Sequence, residues 1–443
     1  MASTYLTKTY TTQPTNGKIG TFSFWFKFSK LSASGDRYLF STYENSNNRT
    51  LCKFNTDGKF ELQTTEGANA GLRYDTTRVF RDTNSWYNIV IATDTTQSTA
   101  ANRVKIYVNG VQETSFTTAN NPAQNLVPHF LYGAIQKWIG VYGGGGANNW
   151  DGLMSHVSYI DGTQELPTIF GETDSTTGEW KIKTTITPSS AWGTNGYWIL
   201  KDGNTVTDSS TNSNAWTVGG GTLTKTEDNP SNVFATWNPL MPQSANYSHG
   251  NTSVNQTTDA DYRPIYSTVA TPTTGKFYAE FKAVSGFDNI NKAVGFIDVD
   301  LPFDDNAHIE AYSASGSYGA NGRASYNGTT DTSVPQYTNG DIIGIALDLD
   351  NGKAYYHKNG TYINSGNPTT GSNGYTVTTG KSYVFAAIVI NQGGANLWSA
   401  NFGNGYFGTT AVASAGTNAS GNGIFEYDTP TGYTALSTKG LNL

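Results

Sequence analysis

Alternating apolar and polar residues recur along the first third of the chain. The run TFSFWFKF at residues 21–28 places a phenylalanine at every second position, which is the period of a β-strand. The run VKIYVNGVQ at residues 104–112 alternates in the same way and then reaches Asn109-Gly110, a pair typical of the tight turn of a hairpin. WYNIVIA at residues 86–92 is apolar on both faces and indicates a central strand. Strands at this spacing, with no helical period between them, predict a β-sandwich.

A further hairpin is predicted at residues 50–63, where TLCKFNTDGKFELQ turns at Asp57-Gly58. Alternation places Cys52 on the same face as Phe54. We therefore expect the thiol to be a small core residue, since cysteine is among the residue types most often buried.

The same patterns return in the last two fifths of the chain. TTGKFYAEFKAV at residues 273–284 alternates, and KSYVFAAIVI at residues 381–390 is apolar on both faces. Between them, GDIIGIALDLDNGKAYYHKNGTYI gives two strands around one turn and a second turn at Asn359-Gly360. These elements predict a second β-sandwich.

The sequence between the two regular regions has weak periodicity. Residues 162–234 are rich in Ser, Thr, Asn and Gly, but they also contain Trp180, Trp192, Trp198 and Trp216. We expect these tryptophans to pack much of the segment on a surface. The prediction is an all-β protein with two antiparallel, jelly-roll-like β-sandwich domains, at residues 1–165 and 235–443, joined by an irregular connector at 166–234.

Composition and charge restrict the partners. A chain of 443 residues is too long for one hydrophobic core, and its 13% of aromatic residues can build more than one. The formal net charge of -7 and the absence of a basic run exclude a nucleic-acid partner, which needs clustered cations. No window is long and apolar enough for a transmembrane helix, so we expect no membrane insertion. The start, MASTYLTKTY, has no apolar segment of a signal peptide, and a single cysteine allows no internal disulfide, so we expect folding in a reducing cytosol.

Catalytic motifs are missing from the sequence. The E-x-D-x-x-E pattern of concanavalin-type glucanases and the G-x-S-x-G of serine hydrolases do not occur. The five histidines have no short metal-binding spacing. We therefore predict no catalytic residue and no metal ligand. A glycan hydrolase stays open as an alternative only through carboxylates that converge from separate strands.

One acidic segment could hold calcium. Asp298, Asp300, Asp304 and Asp305 lie within eight residues of one another, and calcium prefers carboxylate oxygens. A solvated acidic loop is the simpler interpretation, because the spacing is unlike an EF-hand. We predict no cofactor, with calcium here as the alternative.

The candidate ligand-binding residues lie in two segments rich in glycine and aromatic residues. They are Asn148, Asn149, Trp150, Tyr312, Tyr318, Arg323 and Tyr326. An aromatic ring beside amides, as in GGGGANNWDG, suits the apolar face and the hydroxyls of a sugar. Tyrosines among glycines resemble the rigid anchors of binding loops. The alternatives are that Trp150 packs on its own sandwich and that the tyrosines decorate a hairpin.

Two family patterns are carried by the predicted strands. The first domain resembles laminin-G-like, concanavalin-type jelly rolls through TFSFWFKF, NSWYNIVIATD, VKIYVNGVQ, WIGVYGG and DGLMSHVSYIDG. The second resembles SPRY domains through TTGKFYAEFK, KAVGFIDVD, GDIIGIALDLDNGKAYYHKNG and ANFGNG.

The connector carries a more specific resemblance. FGETDSTTGEWKIK, WGTNGYWIL and EDNPSNVFATWNPL, with the closing TPTGYTALSTKGLNL, are similar to tail-fibre-like structural proteins of marine bacteriophages. The resemblance implies a virion protein assembled in the host cytoplasm. It also implies other virion proteins as partners and a homo-oligomer, for which a trimer is common in such fibres. The sequence contains no coiled-coil heptads and no shaft repeat, so it does not indicate how the chain attaches to a particle.

We therefore expect a non-enzymatic bacteriophage virion protein, a tail fibre or similar appendage, that binds a host-surface glycan or protein. A purely structural virion component, such as a head-decoration or tail-joining protein, is the second hypothesis. A glycan hydrolase is the third.

Overall fold

The chain divides into two compact units, residues 1–225 and 226–443. The computed structural model describes residues 4–29, 35–67, 69–145, 148–201, 203, 205–241, 245–257, 261–287, 292–301, 307–391 and 394–442. Each unit is built from β-strands, and the described ranges contain short 3-10 turns but no α-helix. The predicted all-β fold class with two antiparallel sandwiches is confirmed. Among the described residues no helix is long and apolar enough to cross a membrane.

The described strands of the first unit are β1 (Tyr5–Thr9), β2 (Ile19–Phe28), β3 (Arg37–Asn45), β4 (Asn48–Phe54), β5 (Lys59–Glu66), β6 (Asn69–Val79), β7 (Tyr87–Asp94), β8 (Val104–Val108), β9 (Val111–Gln112), β10 (Phe116–Asn120), β11 (Gln136–Ile139), β12 (Gly152–Asp161), β13 (Gly171–Thr173), β14 (Trp180–Ile182), β15 (Tyr197–Ile199) and β16 (Thr217–Gly220). Its 3-10 turns are Ala100–Asn102, His129–Leu131 and Pro167–Ile169.

The described strands of the second unit are β17 (Asn246–Ser248), β18 (Ser253–Asn255), β19 (Arg263–Ala270), β20 (Lys276–Ser285), β21 (Ala293–Asp298), β22 (Ser315–Gly319), β23 (Arg323–Tyr326), β24 (Thr329–Asp331), β25 (Ile342–Asp348), β26 (Lys353–Lys358), β27 (Thr361–Tyr362), β28 (Tyr375–Thr376), β29 (Tyr383–Val389), β30 (Leu397–Asn401), β31 (Tyr406–Phe407), β32 (Thr410–Ala411) and β33 (Thr434–Ala435). Its 3-10 turns are Ile309–Ala311, Ile363–Ser365 and Gly440–Asn442.

Two sheets form the sandwich of the first unit. The eight-stranded sheet has the order β10-β6-β5-β4-β3-β11-β1-β16, and the six-stranded sheet has the order β15-β12-β2-β7-β8-β9. The core between them contains the alternating phenylalanines of residues 21–28, as their period predicted: Phe22, Phe24, Phe26 and Phe28. Cys52 is buried in the same core, as expected, and burial raises the pKa of its thiol.

The two Asn-Gly hairpin turns use the same geometry in the two units. Asn109 and Asn359 both adopt a φ of 49°, in the left-handed region that the turn requires. Each asparagine side chain accepts a hydrogen bond from the strand preceding its hairpin, at 2.8 Å from the backbone N of Asn88 and of Ile342 respectively. The turns predicted at both pairs are confirmed.

The segment after β12 covers the outer face of the six-stranded sheet. Phe170, Trp192 and Trp198 pack on outward side chains of this sheet, such as Val90 and Ile160. Trp192 and Trp198 stack with ring centroids 6.2 Å apart. This sheet is therefore buried on both faces, which explains why WYNIVIA is apolar on both sides.

Trp180 extends the same cover to the first Asn-Gly turn. Its Nε1 donates to Asn88 Oδ1 at 3.2 Å. A Cβ at Gly110 would lie 2.4 Å from the ring, so only glycine allows this approach.

The predicted connector, residues 166–234, is not a separate segment in the structure. Residues up to Lys225 belong to the first unit, where β15 is an edge strand of one sheet and β16 of the other. Phe234 packs in a hydrophobic cluster of the second unit. The bounds differ from the prediction because strands of three or four residues are too short to show alternation, although they complete both sheets of the first unit.

The second unit is a sandwich of the same kind. Its larger sheet has the order β17-β18-β30-β20-β25-β26-β27, with β28 beside β26 and β33 beside β20, and its smaller sheet has the order β19-β29-β21-β22-β23-β24. A large core lies between the sheets. Hydrophobic clusters also cover part of the outer face of each sheet, around Tyr433 on the larger sheet and Ile309 on the smaller one.

A buried carboxylate attaches the C-terminal segment to the larger sheet. Glu280 accepts hydrogen bonds from the backbone N of Glu426 and of Tyr427, both at 2.8 Å. Tyr278 Oη and Asn401 Nδ2 donate to the same carboxylate at 3.0 and 3.3 Å. Burial raises the pKa of Glu280 to about 7 in spite of these four donors.

Replacing Trp192 with alanine tests whether the cover stabilises the first unit. The substitution should lower the free energy of unfolding of this unit by about 3 kcal/mol, the usual cost of truncating a buried aromatic residue. Hydrogen exchange in peptides of β7 and β12 of the full chain measures the change. Leu166→Ala is the control, since Leu166 lies in the same segment but is 63% exposed. Equal protection in both variants would contradict a stabilising cover.

Candidate functional site

The outer face of the eight-stranded sheet differs from the covered face of the six-stranded sheet. Among the described residues, no hydrophobic cluster packs on it. The pairing of β11, β3, β4, β5 and β6 places one row of side chains across its middle: Trp138, Ser41, Leu51, Gln63 and Arg73. A face with aromatic, amide and charged side chains can bind a polar ligand.

A β-bulge in β3 places two tyrosines on this face. Tyr38 and Tyr43 are five positions apart, so strict alternation would put them on opposite faces. The pairing of β3 with β4 shifts between Tyr38 and Phe40, and both Leu39 and Phe40 lie in the core. Because the bulge inserts one extra residue, both tyrosines face outward, and both contact the ring of Tyr142.

Ser41 holds Tyr142 over the sheet. Its Oγ donates to the carbonyl oxygen of Val141 at 2.9 Å and accepts from the backbone N of Gly143 at 3.0 Å. The Tyr142 ring stacks on Tyr38 with centroids 5.2 Å apart and meets Tyr43 edge-on at 5.6 Å. We call Tyr38, Tyr43 and Tyr142 the tyrosine cluster. Within the cluster, Tyr38 is buried and stacks against the ring of Tyr142, whereas Tyr43 and Tyr142 are half-buried and accessible to a ligand.

Arg49 borders the tyrosine cluster on β4, directly opposite Tyr43. Its Nη1 donates to Tyr142 Oη at 3.2 Å. Its Nε is buried and has no hydrogen-bond partner among the described residues. Burial holds the pKa of Tyr38 well above its ordinary value, so this hydroxyl stays protonated beside the guanidinium.

Ion pairs lie on the Tyr38 side of the cluster, where Lys53 is directly opposite Tyr38 on β4. Lys53 pairs with Asp36 at 2.5 Å and with Glu61 at 3.6 Å. Arg73 pairs with the same Glu61 at 3.6 Å and with Asp75 at 3.0 Å. Burial raises the pKa of Glu61, while the two cations oppose that change. Glu61 and Asp75 are cross-strand neighbours, so this is the convergence of carboxylates from separate strands that short motifs cannot reveal.

The predicted binding residues of the first unit lie beside this face but do not form it. The ring of Trp150 packs in the end of the core, with centroids 5.5 Å from Phe26 and 5.2 Å from Phe28. Trp150 thus packs on its own sandwich, which was the alternative to a role in ligand binding. Asn148 is exposed with a φ of 62°, and Asn149 is half-buried. The glycine-rich segment does approach the site, because a Cβ at Gly143 would meet the Trp138 ring at 2.4 Å.

The four predicted residues of the second unit do not converge. Tyr318 is 0% exposed in the core, and its hydroxyl donates to the carbonyl oxygen of Pro335, so the prediction that it binds a ligand is corrected. Tyr312 is also buried, in the cluster that covers the smaller sheet. Arg323 is exposed, whereas Tyr326 packs against the core, and alternation along β23 directs them to opposite faces.

The calcium alternative finds no support in the described residues. Lys381 pairs with Asp298 at 2.9 Å and with Asp300 at 3.4 Å, so a cation already lies between these carboxylates. Asp304 and Asp305 lie outside the described residues. Within the described ranges, no group of three or more His, Cys, Asp or Glu side chains could hold a metal ion.

Sequence reasoning missed the residues that form this face. Tyr142 directly precedes the glycine-rich segment that was predicted to be a binding loop. Of the residues that form this face, it is therefore the one that the sequence came nearest to identifying. Nothing local marks Tyr38, Tyr43 or Arg49, because their convergence requires the bulge and the pairing of β3 with β4.

Two family models match the chain. Residues 2–169 match Laminin_G_3, described as the concanavalin A-like lectin/glucanases superfamily, and residues 279–403 match the SPRY domain. The chain contains a Laminin_G_3 domain followed by a SPRY domain. The resemblance to both domain types is thereby confirmed, and both are binding folds. The tyrosine cluster and Arg49 lie within the Laminin_G_3 match.

Solved structures are similar to parts of the chain at low identity. The SPRY domain of human HERC1 is 14% identical, with a TM-score of 0.29, over 37% of this chain and 96% of that one. A pentraxin of Limulus polyphemus is 16% identical, with a TM-score of 0.26, over 36% and 70%. A Bacteroides ovatus protein whose name proposes carbohydrate binding is 15% identical, with a TM-score of 0.32, over 52% and 62%. No curated protein matches the chain.

Replacing Ser41 with alanine tests the positioning of Tyr142. The variant loses both hydrogen bonds to the Val141–Gly143 segment, each worth about 1 kcal/mol, so the amide of Gly143 should exchange faster. Hydrogen exchange on the full chain measures this. Ser267→Ala is the control, since Ser267 makes the same two kinds of hydrogen bond, to a carbonyl oxygen and from a backbone N, in the second unit. Unchanged exchange at Gly143 would mean that Ser41 does not hold the segment.

Proposed function

We propose that the chain is a non-enzymatic bacteriophage virion protein, a tail fibre or similar appendage, whose Laminin_G_3 domain binds a host-surface glycan at the tyrosine cluster. The observation that carries the glycan part is the pair of accessible tyrosine rings, Tyr43 and Tyr142, on the uncovered face of the eight-stranded sheet. The match to a superfamily that includes lectins supports it.

The chemistry of this face suits a sugar. The apolar face of a sugar ring packs on an aromatic ring, and its hydroxyls need hydrogen-bond donors and acceptors nearby. Tyr142 supplies the ring, while Gln63 in the middle row and Arg49 beside the cluster supply polar groups. The rings are already fixed by packing and by Ser41, so binding costs little side-chain ordering.

The absence of enzymatic activity is part of this proposal. Glu61 and Asp75 are the carboxylates of this face that could serve a glycan hydrolase. Both are ion-paired to Arg73, and Glu61 also to Lys53. A hydrolase needs one carboxyl free to donate a proton and a second free to attack or to activate water, whereas both of these carboxylates are held in ion pairs. The hydrolase hypothesis would be revived if the full chain released oligosaccharide from a polysaccharide that it binds.

The virion part is supported by a different observation. The amino-acid sequences of the connector and the closing segment resemble those of phage tail-fibre-like proteins. The order of the two domains in the chain is also the order found in those proteins. We propose assembly in the host cytoplasm into a homo-oligomer, with other virion proteins as partners. The SPRY domain offers a second binding fold for such partners or for a host protein.

Replacing Tyr142 with alanine should weaken glycan binding at least tenfold, or about 1.4 kcal/mol, because the accessible stacking surface is lost. A glycan array probed with the full chain identifies a ligand, and titration of that ligand against both proteins measures the effect. Tyr406→Ala, a half-buried tyrosine of the second unit, is the matched control. Equal binding by wild type and Tyr142→Ala, or loss in Tyr406→Ala instead, would place the site elsewhere.

Antibody labelling of phage particles purified from cells that produce this chain tests the virion part. We expect the label at a distal appendage, where a host-binding protein must lie. Label over the capsid lattice would favour a head-decoration protein, and particles without the chain would overturn the virion assignment. Electron microscopy of labelled particles distinguishes the three outcomes.

A further inference from the structure

Arg49 differs from Lys53 and Arg73, its neighbours on the outer face, because it has no carboxylate partner among the described residues. Its hydrogen bond from Nη1 goes to the hydroxyl of Tyr142, and its buried Nε has no acceptor. No ion pair of Arg49 exists among the described residues. The undescribed segments nearest in the sequence, 30–34, 68 and 146–147, contain no Asp or Glu that could supply one.

The neighbouring cations are neutralised by contrast. Lys53 and Arg73 both pair with Glu61, and each has one further carboxylate, Asp36 for Lys53 and Asp75 for Arg73. Lys53 lies four residues from Arg49 on the same strand, or about 13 Å at the rise of a β-strand. Leu51 lies between them on the same face. The ion-paired carboxylates thus lie near Tyr38 on one side of the tyrosine cluster, and Arg49 lies beside Tyr43 and Tyr142 on the other side.

A buried N–H such as the Nε of Arg49 is costly when no acceptor among the described residues completes it. Arg49 has five N–H donors, and its hydrogen bond to Tyr142 uses one. The planar guanidinium fits a carboxylate or sulfate with two parallel hydrogen bonds. Tyr142 is fixed within hydrogen-bond reach of the same guanidinium, so a ring on the tyrosine and an anionic substituent at Arg49 would belong to one ligand.

We propose that the ligand of the tyrosine cluster is an acidic sugar, whose carboxylate or sulfate pairs with Arg49 while its ring packs on Tyr142. This inference rests on the proposed glycan binding and names its chemical class. The net charge of the chain is -7, so attraction of an anion depends on this local cation and not on the overall field.

The test uses polymers that differ in charge alone. Polygalacturonate is compared with its methyl-esterified form, and dextran sulfate with dextran, each titrated against the full chain. We expect binding to at least one charged polymer, at least tenfold tighter than to its neutral counterpart and weakened by added salt. The first pair reports a carboxylate and the second a sulfate.

Three variants test the residue. Arg49→Gln should weaken the affinity for the charged polymer at least tenfold. Arg49→Lys keeps the charge but not the planar guanidinium, so its affinity for the same polymer should fall less. Arg81→Gln, an exposed arginine of the same unit, should bind as wild type. Circular dichroism of each variant confirms that the chain is folded.

The outcomes separate this inference from the proposed function. Neutral glycans that bind as tightly as acidic ones, with loss in Tyr142→Ala but not in Arg49→Gln, would overturn the acidic ligand and leave glycan binding in place. Equal loss in Arg49→Gln and Arg81→Gln would also overturn it, since any surface cation would then serve. No binding to any array member would overturn both.

Discussion

Each sheet of a β-sandwich has an inner and an outer face, and what covers the outer faces determines where this protein can bind. Residues 166–199 cover the outer face of the six-stranded sheet with large aromatic side chains. That cover makes the sheet part of a second, smaller core. The outer face of the eight-stranded sheet has no such cover among the described residues, and it remains available for a ligand.

The chemistry of that face follows from two local devices. A bulge in β3 turns Tyr38 and Tyr43 to the same side, and Ser41 holds Tyr142 above them. Ion pairs then neutralise Lys53 and Arg73, while Arg49 has no carboxylate partner among the described residues. The result is a rigid aromatic platform beside one unneutralised cation, which is the combination that an acidic sugar requires.

The sequence predicted the fold better than the site, for a physical reason. Alternation and Asn-Gly pairs are local, so the strands, the hairpins and the burial of Cys52 could be predicted. Tyr38 and Tyr43 have the wrong parity for a shared face, and only the bulge corrects it. Tyr318 was chosen for its glycine-rich neighbours, but it lies in a strand and faces the core. Strands β15 and β16 were too short to show a period, so their segment was interpreted as a connector.

Hydroxyl-radical footprinting of the full chain, with and without a bound glycan, tests the central claim most directly. The ligand should protect Tyr43 and Tyr142 on the outer face of the eight-stranded sheet and leave Tyr326 of the second unit unchanged. Protection confined to the second unit, with Tyr43 and Tyr142 as reactive as in the free protein, would contradict it.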